Sequence, residues 1–211
     1  MGVKVLFDPF IRPNVLAKEV NLDSILCDYI FVSHGHEDHV ADLEFFARKT
    51  GAKVVGCWEL IQWVNAQGIS NTHAMNIGGI YDFGFAEAKM VLAVHSNSLP
   101  NQMYAGTAAG YIIKNKDCSF YFAGDTALTF DMKLIAESYK LDFAFLPIGG
   151  NFTMNTDDAV KAAQFINCDR IIGMHYDTFD VIKINQNISK TQFKDKGMTL
   201  DLLTIGETKI Y

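Results

Sequence analysis

The sequence predicts an α/β fold in which mixed β-sheets are covered by helices. Three observations carry that expectation. Short β-rich apolar runs alternate with helical patterns and turn signals along the chain. A strand-dominated middle stretch with a hairpin turn adds antiparallel pairing to the parallel pairing that alternation favours. No low-complexity linker or internal repeat interrupts the 211 residues, so residues 1–211 read as one domain.

The elements follow in order. Val3 to Phe7 is a strand stopped by Asp8-Pro9. Tyr29 to Val32 is a continuous apolar run, as expected of a strand buried on both faces, and it leads into Ser33-His34-Gly35-His36-Glu37-Asp38-His39. Leu43 to Lys49 has a helical pattern with Gly51 as its C-cap, and Lys53 to Val55 is the next strand. Leu60, Ile61 and Val64 mark the buried face of a short helix ending at Gly68. Phe85 to Val94, Gly110 to Lys114 and Ser119 to Phe122 read as strands, with Asn115-Lys116-Asp117 turning between the last two. Leu141 to Leu146 is a strand. Thr156, followed by Asp157 and Asp158, opens a helix whose core stripe is Ala159, Ala162, Ala163 and Ile166. Arg170 to Met174 is a strand, a Lys-rich helical stretch covers Ser189 to Lys196, and Leu200 to Ile205 is the last strand. Trp58 and Trp63 are expected in the core or at a helix interface.

Composition excludes several classes of function. The chain is 49% hydrophobic and 20% charged, an ordinary globular balance, with a net charge of −6. Nothing in that balance draws it to nucleic acid or to an anionic membrane. Cys27, Cys57, Cys118 and Cys168 are scattered, with no C-x-x-C pair, which argues against a thiolate zinc site and a disulfide framework. Their scatter fits a reducing cytoplasm. No apolar run is long enough for a signal peptide or a membrane span.

The histidine run carries the chemistry. Three imidazoles and a carboxylate fall within six positions, and half of the six histidines sit there. Imidazole and carboxylate are the donors that Zn²⁺, Mn²⁺ and Fe accept. At this composition H-x-H-x-D-H arises by chance on the order of once per few thousand chains. Three more donors follow strands: His95 after Met90 to Val94, Asp125 after Phe120 to Gly124, and His175 after Arg170 to Met174. Each alone is an ordinary polar residue where a strand meets water. Together they repeat one pattern, a ligand type held at a strand end. His73 reads as structural. Asn151 and Thr153, after Gly149-Gly150 at another strand end, are candidates for substrate contact. Asp177 and Thr178 either orient His175 or cap the following segment. Lys183, Lys190, Lys194 and Lys196 read as a solvated face.

With these residues in place, the chain resembles the metallo-β-lactamase superfamily, which carries H-x-H-x-D-H, a lone His, a bridging Asp and a final His in this order. Within it, the chain is similar to the small metal-dependent hydrolases grouped with ascorbate-6-phosphate lactonase. The stretches Leu146 to Met154 and Met174 to Phe179 match that branch most closely. The resemblance implies an αββα sandwich of two mixed sheets flanked by helices. Members of the branch usually open with a further hairpin before the segment matching Val3 to Pro9. A sheet lacking it has an open edge that invites pairing into a homo-oligomer.

The resemblance also implies two divalent metal ions, Zn²⁺ or Mn²⁺ in preference to Fe. His34, His36 and His95 would bind the first; Asp38, His39 and His175 the second; Asp125 would bridge them. Iron-dependent redox members usually carry Glu where His36 stands. Two cations roughly 3.5–4 Å apart share a water and lower its pKa, giving a hydroxide nucleophile that Asp38 and Asp125 orient. The expected reaction is hydrolysis of an ester, lactone, amide or phosphodiester in a small, anionic or lactone-like molecule. Two rival readings are a phosphodiester-cleaving nuclease, against which the acidic charge counts, and a metal-bearing binding module without turnover. Glyoxalase-type thioester hydrolysis would need a C-terminal helical segment for which this chain has no room.

Overall fold

The computed structural model describes residues 2–211. Two sheets lie face to face. The first is all parallel, in the order β1 (Val5–Phe7), β2 (Tyr29–Phe31), β3 (Lys53–Cys57), β4 (Thr72–Met75). The second has seven strands in the order β11-β10-β9-β8-β7-β6-β5. Its antiparallel half is β5 (Ile80–Asp82), β6 (Glu87–Leu92), β7 (Ala109–Lys114) and β8 (Ser119–Phe122). Its parallel half continues from β8 through β9 (Phe143–Pro147) and β10 (Arg170–Met174) to β11 (Thr199–Asp201).

Side-chain alternation decides what fills each layer. On β7, Tyr111 and Ile113 face the first sheet while Ile112 faces the other way. The inter-sheet core therefore joins Tyr111 to Phe31 at 5.1 Å between ring centroids, and the Tyr111 hydroxyl donates to the Val32 carbonyl at 2.7 Å. Helices α2 (Leu43–Thr50) and α3 (Trp58–Ala66) cover the first sheet through Leu43, Phe46, Leu60, Ile61 and Val64. Beyond the second sheet, α4 (Met132–Ser138), α5 (Thr156–Phe165) and α6 (Gln186–Lys194) close a second core with Met132, Ile135, Ala159, Ala163 and Phe193. The layering is the αββα sandwich that the family resemblance implies. Strand β1 forms one edge of the first sheet.

Local signals worked where the sequence spelled them out. Gly51 caps α2 at φ +69°, a left-handed turn that favours glycine. Elsewhere the structure corrects the reading. The last strand ends at Asp201 rather than Ile205, because the ladder with β10 stops at Ile172 and Leu202 folds over Gly173. The helix expected from Ser189 begins at Gln186, and Asn185 caps it; Asn155, one residue before Thr156, caps α5 by accepting from the Asp158 amide. Trp58 is exposed, since it falls outside the stripe that Leu60, Ile61 and Val64 bury, whereas Trp63 packs on the core. Among the described residues no helix is long and apolar enough to cross a membrane.

Candidate metal centre

Topology gathers the predicted residues at one end of the sandwich. Strands β1 and β2 run parallel, and β6, β8 and β10 point the same way within the second sheet. Their C-terminal ends deliver Asp8, His34, His95, Asp125 and His175 to one cleft. The histidine run turns there through His36 into α1 (Glu37–Val40), a single helical turn carrying Asp38 and His39. Two glycines permit the approach. A Cβ on Gly124, at φ +61°, would lie 2.7 Å from both the Ala109 carbonyl oxygen and the Ser33 Cβ. A Cβ on Gly149 would lie 2.2 Å from the His175 carbonyl oxygen. His175 itself sits at φ +54°, a strained conformation for a residue with a side chain.

The side chains fall into overlapping groups of possible donors, one of them Asp8, His34 and His39. The donor atoms of His34, His36 and His95 lie within 4.8 Å of one another, as do those of Asp38, His39 and His175. His34 Nε2 stands 2.9 Å from His36 Nδ1. Asp125 Oδ2 lies between the sets, 3.7 Å from His95 Nε2, 3.4 Å from His39 Nε2 and 3.0 Å from His175 Nε2. Asp38 Oδ2 lies 3.5 Å from His39 Nε2 and 3.6 Å from His175 Nε2.

The surrounding hydrogen bonds fix which ring nitrogens are free. Ser33 Oγ donates to Asp8 Oδ2 at 2.6 Å, so it accepts from His34 Nδ1 at 3.0 Å and leaves Nε2 as the unprotonated nitrogen, facing His36 Nδ1. His39 Nδ1 donates to Asp8 Oδ2 at 2.9 Å, which turns His39 Nε2 toward Asp38 and Asp125. That Nε2, the Asp125 Oδ1 and the His175 Nδ1 are buried and make no hydrogen bond. Of these, His39 Nε2 faces the carboxylates of Asp38 and Asp125, and an orphaned imidazole nitrogen among carboxylates fits a divalent cation that would satisfy it.

Charge divides the two sets. Burial holds the His34 ring well below its ordinary pKa, and it lowers His36 and His95 as well. Burial also pulls on His39 and His175, but carboxylates outweigh it. Asp8 and its neighbours raise His39 well above the usual value, and Asp125 with Asp38 lifts His175 to about 9. Burial works against the charged carboxylates Asp38 and Asp125, yet His175 and His39 hold both well below the usual range.

Asp8 is the residue that sequence reasoning missed. Its oxygens also accept from the Ser33 amide at 2.7 Å, so it is already occupied and orients the cluster rather than extending it. The signal was present: an acid at a strand end, before a proline, as Asp125 is an acid at a strand end. His73 lies on β4 against Tyr81 and Phe83, away from the cleft. Asn151 and Thr153 flank Phe152, which lines the cleft where they do not. Asp177 accepts from the Ile184 amide and from Gln186 Nε2, so it anchors the following segment and leaves His175 Nδ1 alone.

A family model described as a beta-lactamase superfamily domain matches residues 4–176. The chain belongs to this superfamily. Within the superfamily it falls among the UPF0173 metal-dependent hydrolases. The protein of that name from Christiangramia forsetii is 46% identical over 98% of this chain and 91% of its own length. Its counterpart from Methylacidiphilum infernorum is 44% identical over the same shares of the two chains. Among solved structures, Igni18, a metallo hydrolase from the archaeon Ignicoccus hospitalis, matches with a TM-score of 0.88 at 30% identity. The match covers 97% of this chain and 89% of that one. The superfamily's sandwich is thus the frame on which both donor sets are mounted.

Proposed function

We propose that this protein is a metal-dependent hydrolase with two divalent cations, Zn²⁺ or Mn²⁺, acting on a small molecule. The observation that carries the reading is the junction at Asp125. Its carboxylate faces a three-histidine set, buried at His34, on one side and an Asp/His/His set on the other. His34, His36 and His95 would hold one ion, Asp38, His39 and His175 the other, and Asp125 would touch both. Bound there, the ions would lower the pKa of a water and polarise the carbonyl or phosphoryl group under attack.

The chain's own residues do the rest. Asp38, partly open to the cleft, stays ionised and can accept a hydrogen bond from the attacking water, fixing its direction. Asp125, almost fully buried, holds its charge where no solvent screens it. Asp8 and Ser33 keep the His34 and His39 rings in the tautomers that present Nε2 inward. The bond cleaved would be an ester, lactone, amide or phosphodiester. No Lys or Arg among the described residues lines the cleft, which weighs against a nuclease that must grip a polyanion.

The test is Asp125→Ala, followed by metal content and by turnover on a panel of lactones, esters and phosphodiesters. The variant is expected to lose bound metal and all hydrolysis together. Full activity in Asp125→Ala would remove the bridging role and with it this reading.

A further inference from the structure

We propose that the cleft takes a substrate with an uncharged, aryl-bearing body, whose only polar group is the one presented to the His/Asp cluster. This deepens the hydrolase reading and rests on it for the reacting group alone.

The walls argue for it. A cavity of about 620 Å³ opens over His36, Asp38, His95, Asp125 and His175, within the range of small-molecule sites. Three phenylalanines from three separate loops line it: Phe10 after β1, Phe152 between β9 and α5, and Phe179 after β10. Phe152 is 56% exposed and Phe179 42%, large apolar side chains left open at the cleft. Phe10 and Phe179 stand 6.4 Å apart between ring centroids and form one wall. An adjoining cavity of about 250 Å³ shares Phe10, Asp38, Asp125, His175 and Phe179 and runs inward to Phe7, Phe122, Met174 and Ile182. Apolar surface therefore lies on both sides of the cluster.

The charges point the same way. Among the described residues no Lys or Arg lines either cavity, and the charged group at the outer rim is Glu37. The cations on the neighbouring loops are committed elsewhere. Arg12 turns to Asp42 and to the Ala41 carbonyl, and Lys183 pairs with Asp180 at 2.7 Å. Bound ions would neutralise charge only at the reacting group itself. A carboxylate or phosphate elsewhere on the substrate would meet aromatic rings, Glu37 and the single hydroxyl of Ser96, with no cation to offset its lost hydration.

The experiment uses the zinc-loaded full chain and two non-hydrolysable probes, 3-phenylcyclopentanone and its para-carboxylate derivative, with binding followed by ligand-observed NMR. The neutral ketone is expected to bind, and the carboxylate at least tenfold more weakly. Phe152→Ala and Phe179→Ala should each weaken the ketone about tenfold, the size expected for one aryl contact. Phe152→Lys should reverse the preference between the probes. Zinc content and melting temperature of each variant exclude misfolding as the cause. Equal or tighter binding of the carboxylate, no binding of the ketone, or Phe variants within twofold of the parent would overturn the proposal. Turnover of γ-phenyl-γ-butyrolactone by the same preparation separates the two claims. Probe discrimination without turnover sustains the aryl cleft and counts against lactone hydrolysis; turnover without discrimination sustains hydrolysis and overturns the aryl cleft.

Discussion

The carboxylate of Asp8 accepts the Nδ1 proton of His39 at 2.9 Å while also holding Ser33 by its amide and hydroxyl. One acid at the edge strand thus sets the orientation of rings in both ligand sets. Replacing it by asparagine keeps the shape but weakens the acceptor. Asp8→Asn should lower affinity for the ion at Asp38, His39 and His175 about 10–100-fold, with a smaller effect on the three-histidine set. Stepwise metal titration of the two sites would show it; equal losses at both would count against the assignment.

Metal binding should release protons unequally. At pH 7 the metal-free protein holds His39 and His175 protonated, because carboxylates raise them, the latter to about 9. Burial keeps His34, His36 and His95 neutral. Loading the second set should therefore expel protons, and loading the first should expel few. Calorimetry in buffers of different ionisation enthalpy would separate the two.

The same shifts set a stability profile for the metal-free chain. His175, raised when folded, contributes stability below its unfolded value near 6.5 that is lost as pH climbs through about 9. Asp38 and Asp125, depressed when folded, contribute above about pH 4 and lose that contribution as pH falls. Melting temperature without metal should decline between pH 7 and 10, and bound zinc should flatten that decline.

Gly149 and Gly51 offer a matched pair of substitutions. Gly149→Ala drives a methyl group into the His175 carbonyl, so it should cost about 3 kcal/mol or more and displace His175. Gly51→Ala meets no atom within 4 Å and should cost about 1 kcal/mol, the strain of a left-handed alanine. Urea denaturation distinguishes them, and metal content should fall only in the first.

Asp42 is fully buried and accepts from the Ile11 amide at 2.5 Å, from the Arg12 amide at 2.9 Å and from the Arg12 guanidinium. It ties the loop bearing Phe10 to the start of α2. Asp42→Ala should lower stability by about 1–3 kcal/mol, because partly buried backbone donors lose their acceptor. Denaturant midpoints would measure it.

Much of this was legible in the chain. Buried strands announce themselves as unbroken apolar runs, so the positions after Ser33, Val94, Gly124 and Met174 stood out once His or Asp followed each. Hydrophobic periodicity cannot see elements that bury little. Strand β5 is exposed throughout, β4 lacks alternation, and α1 is a single turn, too short to show a period. Asp8 stayed hidden because its meaning lies in a neighbour across the sheet, Ser33, rather than in its own surroundings in sequence. The phenylalanines of the cleft were equally silent, since an exposed aromatic reads like a core one until the loops are placed.

The ligand sets are also staggered along the chain. His34, His36 and His95 all precede β7, whereas the other set waits for His175 after β10. During synthesis a ribosome would release the material for the three-histidine set well before the second could exist. An ion captured early would pin the first sheet to the emerging second one, and the later strands would then dock onto a half-built centre.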